Sequence, residues 1–166
     1  PLRLVGSEMC IRDRYNIFLN AEDFADAWRA EYQPAMEEIR NGGRDFTILD
    51  ILHLENLKKI APRFDLNNLT NEDLNFLVTA WHRLPGWSDT SQGLNKLKKK
   101  FILATQSNGN IALMVNMAKY SNLNWDVILG AEVVGHYKPE PKAYLKACEA
   151  LSLNPVSYTH LRAHET

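Results

Sequence analysis

Hydrophobic residues in the first half of the chain recur at the spacing of helices. Phe24, Trp28, Tyr32, Met36 and Ile39 form one such stripe, the pattern of a helix with a buried face. Asn20 is a suitable N-cap ahead of it, and Glu22 and Asp23 in the first turn complement the helix dipole. Pro34 falls inside the stripe, so it kinks the helix or starts a second one. Asn41-Gly42-Gly43 ends it. A second helix follows, with Ile48, Ile51, Leu52 and Leu57 on or near one face, and Ala61-Pro62 limits its end. Thr70 with Asp73 reads as a capping box with Asp in place of Glu. It opens a third helix lined by Leu74, Leu77, Val78 and Trp81.

The pattern changes after Leu84-Pro85-Gly86-Trp87. A helix is predicted over Gln92 to Lys99, then a buried strand from Phe101 to Thr105, and a helix from about Asn110 to Tyr120. A second strand, Val127-Ile128-Leu129, follows with Trp125 leading into it. Pro141 suits the first turn of a last helix that carries Tyr144, Leu145, Cys148 and Leu151. Strand, helix, strand, helix at this spacing predicts an α/β fold with βαβ units and a parallel sheet. Trp28, Trp81, Trp87 and Trp125 read as packing residues. Lys96, Lys98, Lys99 and Lys100 read as a solvated face near a helix C-terminus. His53, His82 and His136 have no metal-ligand spacing and read as ordinary side chains, so no metal site is predicted.

The two ends stand apart from this pattern. Arg3 to Asp13 can be encoded so that the complementary strand, read in frame, spells Val156 to Thr166 position for position. Met9 as ATG returns His160 as CAT, and Cys10 as TGT returns Thr159 as ACA. Residues 1–14 and 156–166 are therefore expected to be adapter-derived tails and are set aside from fold reasoning. The whole chain carries a net charge of −1, and without the tails it is slightly more acidic. Such a balance offers no basic footprint for nucleic acid or an anionic membrane surface, and no apolar run is long enough to span a bilayer. Cys10 goes with the tail. Cys148 alone forms no internal disulfide, which fits a reducing compartment and a cytoplasmic location.

The chemistry is concentrated at two places. Phe101 to Thr105 runs straight into Gln106-Ser107-Asn108-Gly109-Asn110, which puts a hydroxyl, an amide and a glycine turn at the carboxyl end of a strand. Open α/β sheets bind their ligands there. Further on, His136-Tyr137-Lys138-Pro139-Glu140-Pro141 delivers one lysine from a loop stiffened by two prolines. Small donors from one loop and a fixed positive charge from the other suit an anion. Ser107 and Asn108 also suit a plain turn, and Lys138 a solvated loop, but their combination favours a site.

In this order the segments resemble the haloacid dehalogenase superfamily, whose second motif is a Ser or Thr after a hydrophobic strand and whose third is a loop Lys. The chain is most similar to type II 2-haloacid dehalogenases in Ala27-Trp28-Arg29, Ala80-Trp81-His82-Arg83-Leu84, Ala104-Thr105-Gln106-Ser107-Asn108-Gly109-Asn110 and Tyr137-Lys138-Pro139-Glu140-Pro141-Lys142-Ala143-Tyr144. The resemblance implies a partial Rossmann-like parallel-sheet core (86–155) with a helical cap (15–85). It implies a hydrolase that cleaves the carbon–halogen bond of short 2-haloacids. In that chemistry an aspartate displaces halide, and water then hydrolyses the resulting aspartyl ester. By resemblance, Lys138 offsets the repulsion between an anionic nucleophile and an anionic substrate. Ser107, with the N–H groups of its turn, holds the substrate carboxylate, and Asn108 lines the pocket. Arg29, from the cap, faces the halide or the carboxylate, and Tyr144 hydrogen-bonds Lys138 or the pocket. Arg29 equally suits the polar face of an amphipathic helix, and Tyr144 equally suits the core.

The family's Asp-x-x-Gly-Thr nucleophile motif has no match in this chain, and its acidic fourth motif is expected beyond Pro155. The chain is accordingly expected to be an inactive fragment. The resemblance implies a small anionic partner, a 2-haloacid, no cofactor and a homodimer. Two other readings stay open: a phosphatase of the same superfamily that uses Mg²⁺, and a non-catalytic binding module.

Overall fold

A computed structural model describes residues 19–157; the predicted tails lie outside the described residues, apart from Val156 and Ser157. Helices α1 (Ala21–Ala30), α2 (Tyr32–Arg40), α3 (Leu49–Ile60) and α4 (Asn71–Val78) make up the first half, with 3-10 turns at Ala61–Phe64 and Thr79–Arg83. Helix α5 (Thr90–Leu97), strand β1 (Ala104–Gln106), helix α6 (Ile111–Tyr120), strand β2 (Val127–Leu129), and helices α7 (Ala131–Val134) and α8 (Pro141–Ala150) follow, then a 3-10 turn at Pro155–Ser157. The two strands pair in parallel, with Ala104 opposite Val127 and Gln106 opposite Leu129. The architecture is α/β, mostly helical around a small parallel sheet, as the alternation of elements predicts.

Local chemistry explains most boundaries. Asn20 Oδ1 accepts from the N–H groups of Glu22 and Asp23 at the start of α1. Pro34 falls in the first turn of α2, where its missing N–H costs nothing, so it separates two helices instead of bending one. Gly42 takes φ of 74° to turn the chain away from α2. The capping box at α4 forms as predicted: Asp73 N–H donates to Thr70 Oγ1 at 3.2 Å and Thr70 N–H donates to Asp73 Oδ2 at 3.0 Å. Pro141 starts α8.

Three apolar clusters dominate. One lies within the helical half around Phe24, Trp28, Leu57, Ile60 and Leu77. Trp28 is 2% exposed, and its indole N–H donates to His53 O at 2.9 Å, so its one polar atom is satisfied. A second cluster joins the halves, with Met36, Leu49 and Leu52 against Leu113, Ala131 and Tyr137. The third sits between β2, α7 and α8. Between the halves, Ser121 fastens the connecting segment: its hydroxyl donates to Leu84 O and accepts from Gly86 N–H, both at 2.8 Å.

Several expectations need correction. The first strand begins at Ala104, because pairing to the second starts only there; Phe101 and Ile102 lie outside it and are 61% and 83% exposed. Ile51 and Leu145 are exposed, so periodicity placed them on helix faces that are open to solvent, and Trp87, read as a packing residue, is 79% exposed. Trp81 lies in a 3-10 turn beyond the end of α4. Lys98 is not a freely solvated lysine: it pairs with Asp126 Oδ1 at 3.0 Å and donates to Asn124 Oδ1 at 2.7 Å. The backbone N–H of Leu103, followed by Lys98, holds the Asp126 carboxyl below its ordinary pKa.

Candidate active site

Strand β1 ends at Gln106, and the next three residues make a half-buried turn over the N-terminus of α6. Ser107 Oγ accepts from Gly109 N–H at 3.0 Å, which tightens the turn. Gly109 is closely packed: an added Cβ would sit 3.2 Å from both the Leu113 and Met114 side chains, which would have to shift by a few tenths of an ångström. The loop carrying Lys138 packs directly on this turn. Lys138 N–H donates to Asn108 Oδ1 at 2.8 Å, and the Lys138 ammonium donates to Gln106 O at 2.6 Å. Gln106 Nε2 in turn donates to Ala143 O at 3.1 Å, which ties the strand end to α8. The two segments singled out in the sequence therefore form one unit.

The helical half closes against it. Arg40, at the end of α2, donates from one guanidinium nitrogen to Lys138 O at 3.1 Å while ion-pairing with Glu37. Tyr137 is fully buried, and its hydroxyl donates to Thr47 O at 2.6 Å. Asn108 Nδ2 reaches the Tyr32 hydroxyl at 3.5 Å. Burial raises the Tyr32 pKa against the lowering effects of Asn108 and Arg40, so the phenol stays protonated at neutral pH.

Of the residues predicted from sequence, Ser107, Asn108 and Lys138 come together. Tyr144 is half-buried on α8, next to Ala143. Arg29 is exposed in the last turn of α1, three residues before Tyr32. Sequence reasoning missed Arg40 and Tyr32: Arg40 was not singled out, and Tyr32 was read only as one aromatic of the helical stripe. Nothing in their local sequence signals the site, because their partners Lys138 and Asn108 lie 98 and 76 positions away.

Histidines were read as ordinary, and one is more than that. His82, 6% exposed, links Asp50 to Asn116 across the two halves. His53, 3% exposed, stacks on Trp81 with ring centroids 4.7 Å apart. Desolvation lowers its pKa from 6.5 to about 4, outweighing the raising effect of Asp50. Among the described residues, no group of three or more His, Cys, Asp or Glu side chains is arranged to hold a metal, and no helix is long and apolar enough to cross a membrane.

The profile of the haloacid dehalogenase-like hydrolases matches residues 11–159. The chain belongs to this family. Two curated relatives are (S)-2-haloacid dehalogenases. That of Burkholderia cepacia, 4A, is 37% identical over 106 residues, 62% of this chain and 40% of that protein. Among solved structures, the defluorinating L-2-haloacid dehalogenase Rha0230 is 40% identical with a TM-score of 0.87, over 92% of this chain and 63% of that one. The L-2-haloacid dehalogenase PA0810 is 39% identical with a TM-score of 0.85, over 91% and 64%. The chain thus spans about two fifths of the curated relative and under two thirds of the solved ones.

Proposed function

We propose that the whole protein hydrolyses the carbon–halogen bond of short 2-haloacids, with the nucleophilic aspartate supplied from outside this chain. The observation that carries the reading is the union of the Ser107 turn with Lys138, through Asn108 Oδ1 and Gln106 O. A lysine whose position is fixed by a backbone carbonyl offers a preorganised positive charge, which is worth most where charge gathers in the reaction. In this reading Lys138 offsets the repulsion between the aspartate and the substrate carboxylate. Ser107 and the N–H groups of its turn hold that carboxylate, and Asn108 lines the pocket. Arg29 faces the departing halide or the carboxylate, and Tyr144 supports Lys138. The aspartate displaces halide to form an ester, and water cleaves it. Residues 15–85 act as the cap and 86–155 as part of the core; the reaction takes no cofactor and runs in a cytoplasmic homodimer. The 37% and 40% identities to proteins named as 2-haloacid dehalogenases support the substrate class.

The test is halide release from 2-chloropropionate by the full-length protein. Lys138→Ala and Ser107→Ala are expected to lower kcat/KM by at least about 10²-fold each. The isolated chain is expected to release none. A full-length protein that hydrolyses a phosphate ester in Mg²⁺ and ignores haloacids would replace this reading with the phosphatase one.

A further inference from the structure

We infer that Asp50 and His82 are positioning residues for the Ser107–Asn110 turn; the inference rests on the reading of that turn as the seat of an anion. Asp50 is the second residue of α3, in the helical half. Its Oδ2 accepts from Asn110 Nδ2 at 2.8 Å, and its backbone N–H donates to Asn110 Oδ1 at 3.3 Å. Its Oδ1 lies 2.9 Å from His82 Nε2. On the far side of the ring, Asn116 Nδ2 donates to His82 Nδ1 at 2.9 Å. An amide nitrogen only donates, so Nδ1 is the bare nitrogen and Nε2–H donates to Asp50. A general base needs a nitrogen open to substrate or water. Both nitrogens of His82 are occupied and the residue is 6% exposed, so it acts as a strut.

Asn110 is what the strut holds. It is 2% exposed, occupies the N-cap of α6 and follows Gly109 directly. Its side chain does not cap its own helix. It caps α3 instead, through Asp50, while Ile111 N–H at the start of α6 is taken by Glu132 Oε1 at 2.6 Å. The turn is thereby clamped at two points, at its end by Asp50 and at Asn108 by Lys138 N–H. Donors that hold an anion are most effective when fixed before it arrives. The Asp50–His82–Asn116 chain provides that fixation, and it couples the turn to the packing of the helical half.

Backbone hydrogen exchange on the ligand-free chain tests this. Asp50→Asn keeps the side-chain shape and weakens the pairing. Gly109 N–H is expected to exchange about tenfold faster in this variant, while amides of α4, behind their own capping box, keep their rates. Asn116→Ala, at an exposed position, is expected to act in the same direction with a smaller effect, and it decides the matter where Asp50→Asn does not fold. Unchanged Gly109 exchange, or acceleration shared equally by α4, overturns the inference. Propionate, an unreactive carboxylate, is expected to bind the wild-type chain about tenfold more tightly than Asp50→Asn. Faster Gly109 exchange in a chain that binds no propionate upholds the strut and removes the anion reading instead.

Discussion

Neutral, buried His53 makes its own contribution to the pH dependence of this protein's stability. In the folded chain its pKa is lowered from 6.5 to about 4 by desolvation. Below pH 6.5 the unfolded chain binds a proton that the folded chain refuses, so stability falls as pH falls toward the folded value. From these two pKa values, the loss is about 2 kcal/mol by pH 5 and about 3 kcal/mol by pH 4. Carboxylates also titrate there, so the perturbation to compare is His53→Phe. This variant keeps a flat ring against Trp81 and removes both the titration and the unpartnered Nδ1. Urea unfolding followed by tryptophan fluorescence is well suited, because Trp28 and Trp81 both contact the His53 ring. Between pH 7.5 and pH 5, the wild-type chain is expected to lose about 2 kcal/mol more than His53→Phe. Equal losses in the two proteins, or a His53 proton resonance titrating near 6.5, would refute the burial argument.

Thr70→Ala removes the hydroxyl that caps α4 and strips a partner from Asp73, which is 1% exposed; a loss of about 1–2 kcal/mol in thermal unfolding is expected, with Thr70→Ser near wild type. At Gly130 a Cβ would sit 2.6 Å from Ile111 N and 2.9 Å from Asn110 C, so Gly130→Ala is expected to cost about 1–3 kcal/mol in urea unfolding and to shift the Asn110 amide resonance. Ile102→Lys, at a position 83% exposed beside Phe101, is expected to reduce self-association in light scattering while changing stability by less than about 0.5 kcal/mol; a collapse of stability would mean that Ile102 is buried in solution.

Local signals in the sequence determined where the chain turns and which ends its helices have. Asn20, the Thr70–Asp73 box, Pro34, Gly42 and Pro141 each act on backbone groups within four residues, so their effects are readable without the fold. The strand Val127–Leu129 and the Ser107–Gly109 turn were legible for the same reason. Faces were harder, because periodicity shows which residues share a side and not whether anything covers it. Ile51, Phe101, Ile102 and Leu145 are apolar yet uncovered. The turn at Ser107–Asn108 and the Lys138 loop were already paired from the sequence, and only the tertiary structure joined Asp50 to His82 and Asn110, across 32 and 60 positions, and Arg40 to Lys138, across 98. Those pairings depend on how α3, α6 and the lysine loop pack. Their side chains carry no mark of it, since a buried Asp–His pair and a solvated one are spelled alike.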